Sequence, residues 1–308
     1  MKLGTTSQRP NIAVVLPTCN RPKHVQSVLE NLNDQTLKPS VVIVIDSSDS
    51  DEIGNQVKRW SHVKYIQSKL KSAAYQRNLG MREILEKHSD CDYISFVDDD
   101  IRISNSYLEN LSSQLKKNDS IIGVSGVADS ENGFGKNRNH SDPIKQKSRI
   151  HSKEGKIDSF VINRPVLSSD KLTECTWLIG CSMWRLETLK KENHWFEADF
   201  TRQSLFEDAI FSHRFSHKSK LVVDPDISFQ HLLEIIERPN DTTHSADWVL
   251  HRFRLVSTDT CFGYLGFTFS IFGVLFKSSL RALLRRKQTG DITSKGLILG
   301  IKRLIRSL

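Results

Sequence analysis

The stretch Tyr93-Ile94-Ser95-Phe96-Val97-Asp98-Asp99-Asp100 runs a strand-like apolar segment straight into three consecutive carboxylates. Like charges side by side repel one another, and without a counter-charge they destabilise the place they occupy. Two readings answer this. Either the strand simply ends in water, with Asp100 capping a following turn, or a divalent cation sits there, because hard oxygen ligands suit Mg2+ or Mn2+.

The segments around this stretch decide what kind of strand it ends. "IAVVLP" (12–17) precedes "PKHVQSVLENLNDQ", in which Val25, Val28, Leu29 and Leu32 recur on one helical face. "VVIVID" (41–46) leads into the polar "SSDSDE" and then a helical stretch. "VKYIQS" (63–68) precedes the helical "SAAYQRNLGMREILEK", and "YISFVDDD" follows. Buried apolar strands alternating with helices predict an α/β fold, a mostly parallel open sheet flanked by helices. Ligands of such sheets bind at the carboxyl ends of the strands, so Pro17-Thr18-Cys19-Asn20, Asp46 and Asp98–Asp100 are expected to meet in one crevice. Residues 129–160, rich in Asn, Ser, Lys and Gly, predict a long mobile insertion. Order returns in "ECTWLIGCSMWRLETLKK" (174–191), "SLFEDAIFSHRF" (204–215), the strand "KLVVDPD" ahead of His231, and "HSADWVLHRFRL" (244–255).

A chain of 308 residues with 38% hydrophobic and 26% charged residues is globular and not disordered. Its five cysteines form no C-x-x-C pair, which argues for reduced thiols in a cytosolic setting and against a disulfide framework or zinc site. The opening "MKLGTTSQRPN" has no apolar h-region, so no signal peptide is expected. The net charge of +8 lies in the tail, where nine Lys and Arg from Lys277 onward face Asp291 alone. An anionic membrane surface or nucleic acid would each explain such a tail.

Six motifs in order, "VVLPTCNR", "VVIVIDSSDSD", "AAYQRNLG", "FVDDD", "WLIGCSMWR" and "FEDAIFSHR", resemble those of the family 2 glycosyltransferases, over roughly residues 11–255. The resemblance implies a GT-A fold and a transferase that uses a nucleoside-diphosphate sugar. It implies that Pro17, Thr18, Asn20, Arg21 and Asp46 frame the nucleoside, with Arg77, Asn78, Asp98 and Asp99 close to the nucleotide. From the residues alone, Asp46 is as readily an Asx-turn residue at a strand exit. Arg77 is as readily on a solvated helix face, and Asn78 as readily makes a tertiary hydrogen bond. In the family a D-x-D element binds the metal that bridges the donor's phosphates. Asp98 and Asp100 match its outer positions, though three Asp in a row permit more than one register, and His231 matches a His near the metal. A metal and a diphosphate together make three adjacent acids tolerable, and Mg2+ or Mn2+ is the expected cofactor.

In "SLFEDAIFSHR", Ser204-x-x-Glu207 reads as a capping box, which would account for Glu207 but not Asp208. The resemblance makes Asp208 the catalytic base, with Glu207, Trp177, Gly180 and Cys181 on the acceptor side. The Trp177 indole fits a sugar face or a protein core equally well. His251, Arg252 and Arg254 read as a solvated basic face or as a phosphate clamp. One carboxylate base and no enzyme nucleophile imply displacement with inversion.

Beyond the catalytic domain (1–255), residues 256–308 form a helical appendage expected to associate with membranes. "TCFGYLGFTFSIFGVLF" (260–276) carries no charge, and basic amphipathic segments follow it. An apolar segment plus a polybasic one supplies the two signals that stable peripheral attachment needs. The expected localisation is cytoplasmic, on the inner face of the membrane, and no nucleic-acid partner is expected. The expected function is metal-assisted, inverting sugar transfer to a glycan or lipid-linked acceptor hydroxyl, as in polysaccharide biosynthesis. Two alternatives compete with it. One is a sugar-nucleotide nucleotidyltransferase, which "LPTCNRP" disfavours by lacking a glycine run. The other is a non-catalytic membrane scaffold or nucleotide-binding protein on the same fold.

Overall fold

Alternation along the first strands explains the layering. In β1 (Ile12–Thr18) and β2 (Val41–Asp46), Ala13, Val15, Ile43 and Ile45 enter one apolar cluster. Ile12, Val14, Leu16, Val42 and Val44 enter a second cluster on the other face. Successive side chains of a strand point to opposite faces, so a strand apolar throughout must be covered on both sides. The computed structural model describes residues 9–128, 154–166, 171–200, 205–232, 241–284 and 292–307.

The second face is covered by α1 (Pro22–Asn33), α2 (Glu52–Val57) and α4 (Tyr107–Lys117). Val25, Val28, Leu29 and Leu32 of α1 are all buried, as their spacing predicts. The first face takes α3 (Ala73–Lys87), α5 (Leu186–Glu192) and α6 (Glu207–Ser216), with α7 (Asp241–Thr258) outside them. A Cβ on Gly80 of α3 would lie 2.6 Å from Val15 Cγ1, so only glycine lets this helix sit so close to β1.

Among the described residues the sheet has nine strands, ordered β3-β2-β1-β4-β8-β6-β9-β5, with β7 pairing β9 off this path. The strands are β3 (Val63–Gln67), β4 (Tyr93–Phe96), β5 (Ile101–Ile103), β6 (Ile121–Ala128), β7 (Thr173–Cys175), β8 (Ser182–Arg185) and β9 (Lys220–His231). β3, β2, β1 and β4 are all parallel, as expected, and β8 then enters antiparallel between β4 and β6. β9 runs parallel to β6 and antiparallel to β5, opposing Ile101 to His231. His231 is therefore the last residue of a strand, where the sequence suggested that it follows one.

Of the expected mobile insertion at 129–160, residues 129–153 lie outside the described residues. Residues 154–160 differ from the expectation, because they join a hydrogen-bonded turn built on the buried Asp158. Its Oδ1 accepts from the N–H groups of Phe160 and Ile162 at 3.0 Å, and Arg164 pairs with Oδ2 at 2.8 Å. At the C-terminus, 260–276 and the basic segment after it are not separate. One helix, α8 (Tyr264–Leu283), runs from the apolar segment into the start of the basic one, and α9 (Ser294–Ser307) follows, seating Leu297 in the core. No helix among the described residues is long and apolar enough to cross a membrane.

Candidate active site

The carboxyl ends of β1 and β2 are drawn together by one side chain. Gln76, from the first turn of α3, donates through Nε2 to the carbonyls of Thr18 and Ile45, both at 2.7 Å. The sequence reading passed over Gln76, although it stands beside the Arg77-Asn78 pair. The three acids differ in burial, although Arg21 Nη1 reaches both Asp99 and, at 3.1 Å, Asp100 Oδ2. Asp99 is buried, accepting from Thr18 Oγ1 at 2.7 Å and from Arg21 Nη1 at 2.6 Å. Burial pushes its pKa up to about 6, against the pull of Arg21 and Thr18. Asp98 and Asp100 keep 34% and 22% of their side chains accessible, so the outer pair faces the crevice and the middle acid faces inward.

Arg77 answers the question of counter-charge. It is buried on α3 and ion-pairs with both Asp98 and Glu207. Glu207, the first residue of α6, is thereby accounted for by Arg77, and the expected capping box depends on a residue that is not described. The residue before α6 is Phe206, in a left-handed conformation (φ 70°) and without a side-chain cap, while Ser204 lies outside the described residues. Gly180 lies against the same pair. A Cβ there would lie 2.8 Å from Asp98 Oδ2 and 3.0 Å from Arg77 Nη2.

Asp208 follows Glu207 at the start of α6 and lines the same hollow as Arg77, Phe96, Gly180, Phe196 and Phe211. It keeps some accessible surface, but at the floor of a concavity it has protein on nearly every side. Burial pushes its pKa up to about 6 against the opposing Arg77 charge, and nearby Asp98 adds to the rise. The Ala209 N–H donates to Asp208 Oδ1 at 2.7 Å, orienting the carboxylate.

Other candidates are engaged elsewhere. Asp46 is fully buried, and its oxygens accept from the Ser48 N–H at 2.8 Å, from the Ser48 hydroxyl and from Tyr65 OH at 3.1 Å. That is the Asx-turn arrangement, with a tyrosine added. Asn78 gives both ends of its amide to the Phe196 backbone at 2.9 Å, holding a distant loop rather than facing the crevice. Trp177 is buried in the core, and its indole N–H donates to the Arg164 carbonyl at 3.3 Å. Cys181 is buried against Tyr107 OH, and Pro17 is buried within β1. Asn20, in left-handed conformation, donates to Asp49 Oδ2 at 3.2 Å across the crevice mouth. His251 and Arg252 depart from the solvated basic face. Both are buried, His251 stacked on Phe200 and Arg252 lying over Trp248 and Phe206, while Arg254 pairs with Glu197 at 2.9 Å.

The donor set suits a hard divalent cation. Asp98 and Asp100 present carboxylate oxygens to the crevice, and the β5–β9 register brings His231 Nε2 to 3.6 Å from Asp100 Oδ1. That separation is too long for a hydrogen bond.

Comparison with known proteins agrees with this geometry. The model of glycosyl transferase family 2 matches residues 13–171, about half of the chain. A poly(ribitol-phosphate) beta-N-acetylglucosaminyltransferase, TarP of Staphylococcus aureus, is 32% identical over 125 residues, 38% of this chain and 37% of that one. The match therefore spans well under half of that relative's length. TarS of S. aureus (residues 1–349), solved with UDP-GlcNAc, superposes with a TM-score of 0.55 at 15% identity, over 81% of this chain and 67% of that one. The mannosyltransferase PcManGT of Pyrobaculum calidifontis, solved with GDP-Man and Mn2+, gives 0.59 at 14% identity, over 98% and 88%. At these identities the likeness shows the fold, which is GT-A.

Proposed function

The chain belongs to glycosyl transferase family 2, and from that premise we propose that it moves a sugar from a nucleoside-diphosphate donor to an acceptor hydroxyl with inversion. The observation that carries this reading is the convergence on Arg77 of acids from two distant elements. Asp98 comes from the end of β4 and Glu207-Asp208 from the start of α6.

Asp98 and Asp100, with His231, would hold the divalent cation, which when bound neutralises the donor's diphosphate as it leaves. That PcManGT was solved with GDP-Man and Mn2+ supports a metal-assisted nucleotide sugar here. Thr18 and Arg21 fix Asp99 behind them, and Arg77 fixes Asp98. Asp208 takes the proton of the acceptor hydroxyl while that oxygen bonds the anomeric carbon and the bond to phosphate breaks. A pKa of about 6 leaves the carboxylate charged at neutral pH yet basic enough to accept that proton. No nucleophile of the enzyme is called on, so one displacement inverts the centre.

The acceptor reading is a glycan or a lipid-linked glycan at a membrane surface. Leu265, Phe269, Phe272, Phe276, Leu280 and Leu283 are all exposed and recur every three or four residues along one side of α8. Phe267 and Ile271 pack the opposite side onto the protein. Lys277, Lys302, Arg303 and Arg306 are exposed on the same helical pair. An apolar stripe beside basic residues suits an anionic bilayer surface.

Calorimetric titration with a panel of nucleoside diphosphates, with and without Mn2+, tests the proposal. One diphosphate is expected to bind in a metal-dependent way to the wild type and to fail with Asp98→Ala/Asp100→Ala. Folded wild-type protein that binds none of them would return "FVDDD" to a strand end meeting water.

A further inference from the structure

At the far end of α6 from Asp208, His213 and His217 stand one helical turn apart and face Asp259, just past the end of α7. His213 Nε2 and His217 Nε2 lie 3.2 and 3.0 Å from the same oxygen, Asp259 Oδ2. Ligand atoms around a tetrahedral ion with bonds of about 2.0–2.1 Å stand about 3.3 Å apart, so each imidazole already keeps that spacing from the carboxylate, and all three ligand atoms lie within 4.8 Å of one another. The His213 ring is prepared as a ligand. It is buried, and its Nδ1 lies 3.3 Å from the Thr176 carbonyl, which places the proton on Nδ1 and leaves the Nε2 lone pair free. With the proton on Nδ1, that Nε2 faces Asp259 Oδ2 at 3.2 Å with no other partner among the described residues, two lone pairs that a cation between them would reconcile. The Cys261 N–H donates to Asp259 Oδ1 at 2.9 Å, orienting the carboxylate and leaving Oδ2 to the histidines. Phe262 closes the apolar side, its ring 5.0 Å from that of His213, and the half-exposed His217 leaves a route in from solvent.

We propose that His213, His217 and Asp259 form a Zn2+ site, separate from the acids of the crevice, that ties the helix carrying Asp208 to the start of the C-terminal helical pair. Two imidazoles and one carboxylate favour zinc over Mg2+ or Mn2+, which prefer sets dominated by oxygen. The cysteine count argued against zinc because it searched for thiols. This site uses none, and its third ligand lies 42 residues beyond His217.

The test uses tag-free, full-length protein stripped of metal and titrated with Zn2+ in competition with a chromophoric chelator. One equivalent is expected to bind, to survive Asp98→Ala/Asp100→Ala, and to weaken at least about 10-fold in His217→Ala and in Asp259→Asn. Zinc is also expected to raise the Tm of the wild type and not that of His217→Ala, a substitution at a half-exposed side chain that leaves the core intact. Absence of zinc binding at micromolar metal, affinity unchanged in both single variants, or binding lost with Asp98 and Asp100 would each overturn the proposal.

Discussion

Asp208 is held in conditions that favour its neutral form, and the reaction proposed for it needs the charged one. With its pKa pushed up to about 6, kcat/KM should fall as pH drops through that value, a limb that a pH–rate profile measures directly. Asp208→Asn should lower transfer by ~10² or more while nucleoside diphosphate still binds in calorimetry. Equal loss of nucleotide affinity would refute its assignment as base. Stability should move the other way. The folded protein holds this proton more tightly than an unfolded chain, whose aspartates titrate near 4. The stability this group contributes is therefore present below about pH 4 and lost as pH rises through about 6. Above pH 6 the Asn variant should melt at a higher temperature than the wild type, and the difference should shrink toward pH 4. Gly180 supplies a steric test of the same site. A methyl group there meets Asp98 Oδ2 and Arg77 Nη2, so Gly180→Ala should cost about 10- to 100-fold in transfer by displacing the pair.

At the scale of elements, α3 positions the site from three successive residues. Gln76 clips the ends of β1 and β2, Arg77 bridges the acids, and Asn78 holds the Phe196 backbone. Phe196 in turn stacks on Phe211 of α6, with ring centroids 3.9 Å apart. Asn78→Ala leaves a buried N–H and a buried carbonyl of Phe196 without partners, and should cost about 1–3 kcal/mol in denaturant unfolding. Its effect on diphosphate affinity should be small beside that of Arg77→Ala. The reverse ranking would restore Asn78 to the nucleotide. For α8, Phe269→Glu/Phe272→Glu changes two exposed side chains and should leave the fold and nucleotide binding unchanged. Flotation with anionic vesicles should fall at least about 10-fold. Undiminished flotation would remove this stripe as the attachment surface.

Across the whole molecule, the chain itself fixed much of the scaffold because hydrophobic period is a local property. A run such as Val41–Ile45, short and wholly β-branched, reads as a strand buried on both faces, and the Val25–Leu32 spacing reads as one buried side of a helix. The place of the crevice followed from the carboxyl ends of those strands, and the acids of "FVDDD" marked it. Three things waited for the tertiary structure. Which acids face the crevice depended on Thr18 and Arg21 reaching Asp99, some 80 residues away in the chain. Glu207 pairs with Arg77, 130 residues distant in the chain. Asn78 and His251 turned inward onto Phe196 and Phe200, groups their own segments do not contain, while Asp46 kept its own Ser48 and added Tyr65. The physical reason is the same throughout. Periodicity says which side of an element is buried, whereas the partner of a buried polar group is set by the order in which strands assemble. Here that order includes β8 and β9, which enter the sheet from far along the chain and which no local pattern could place.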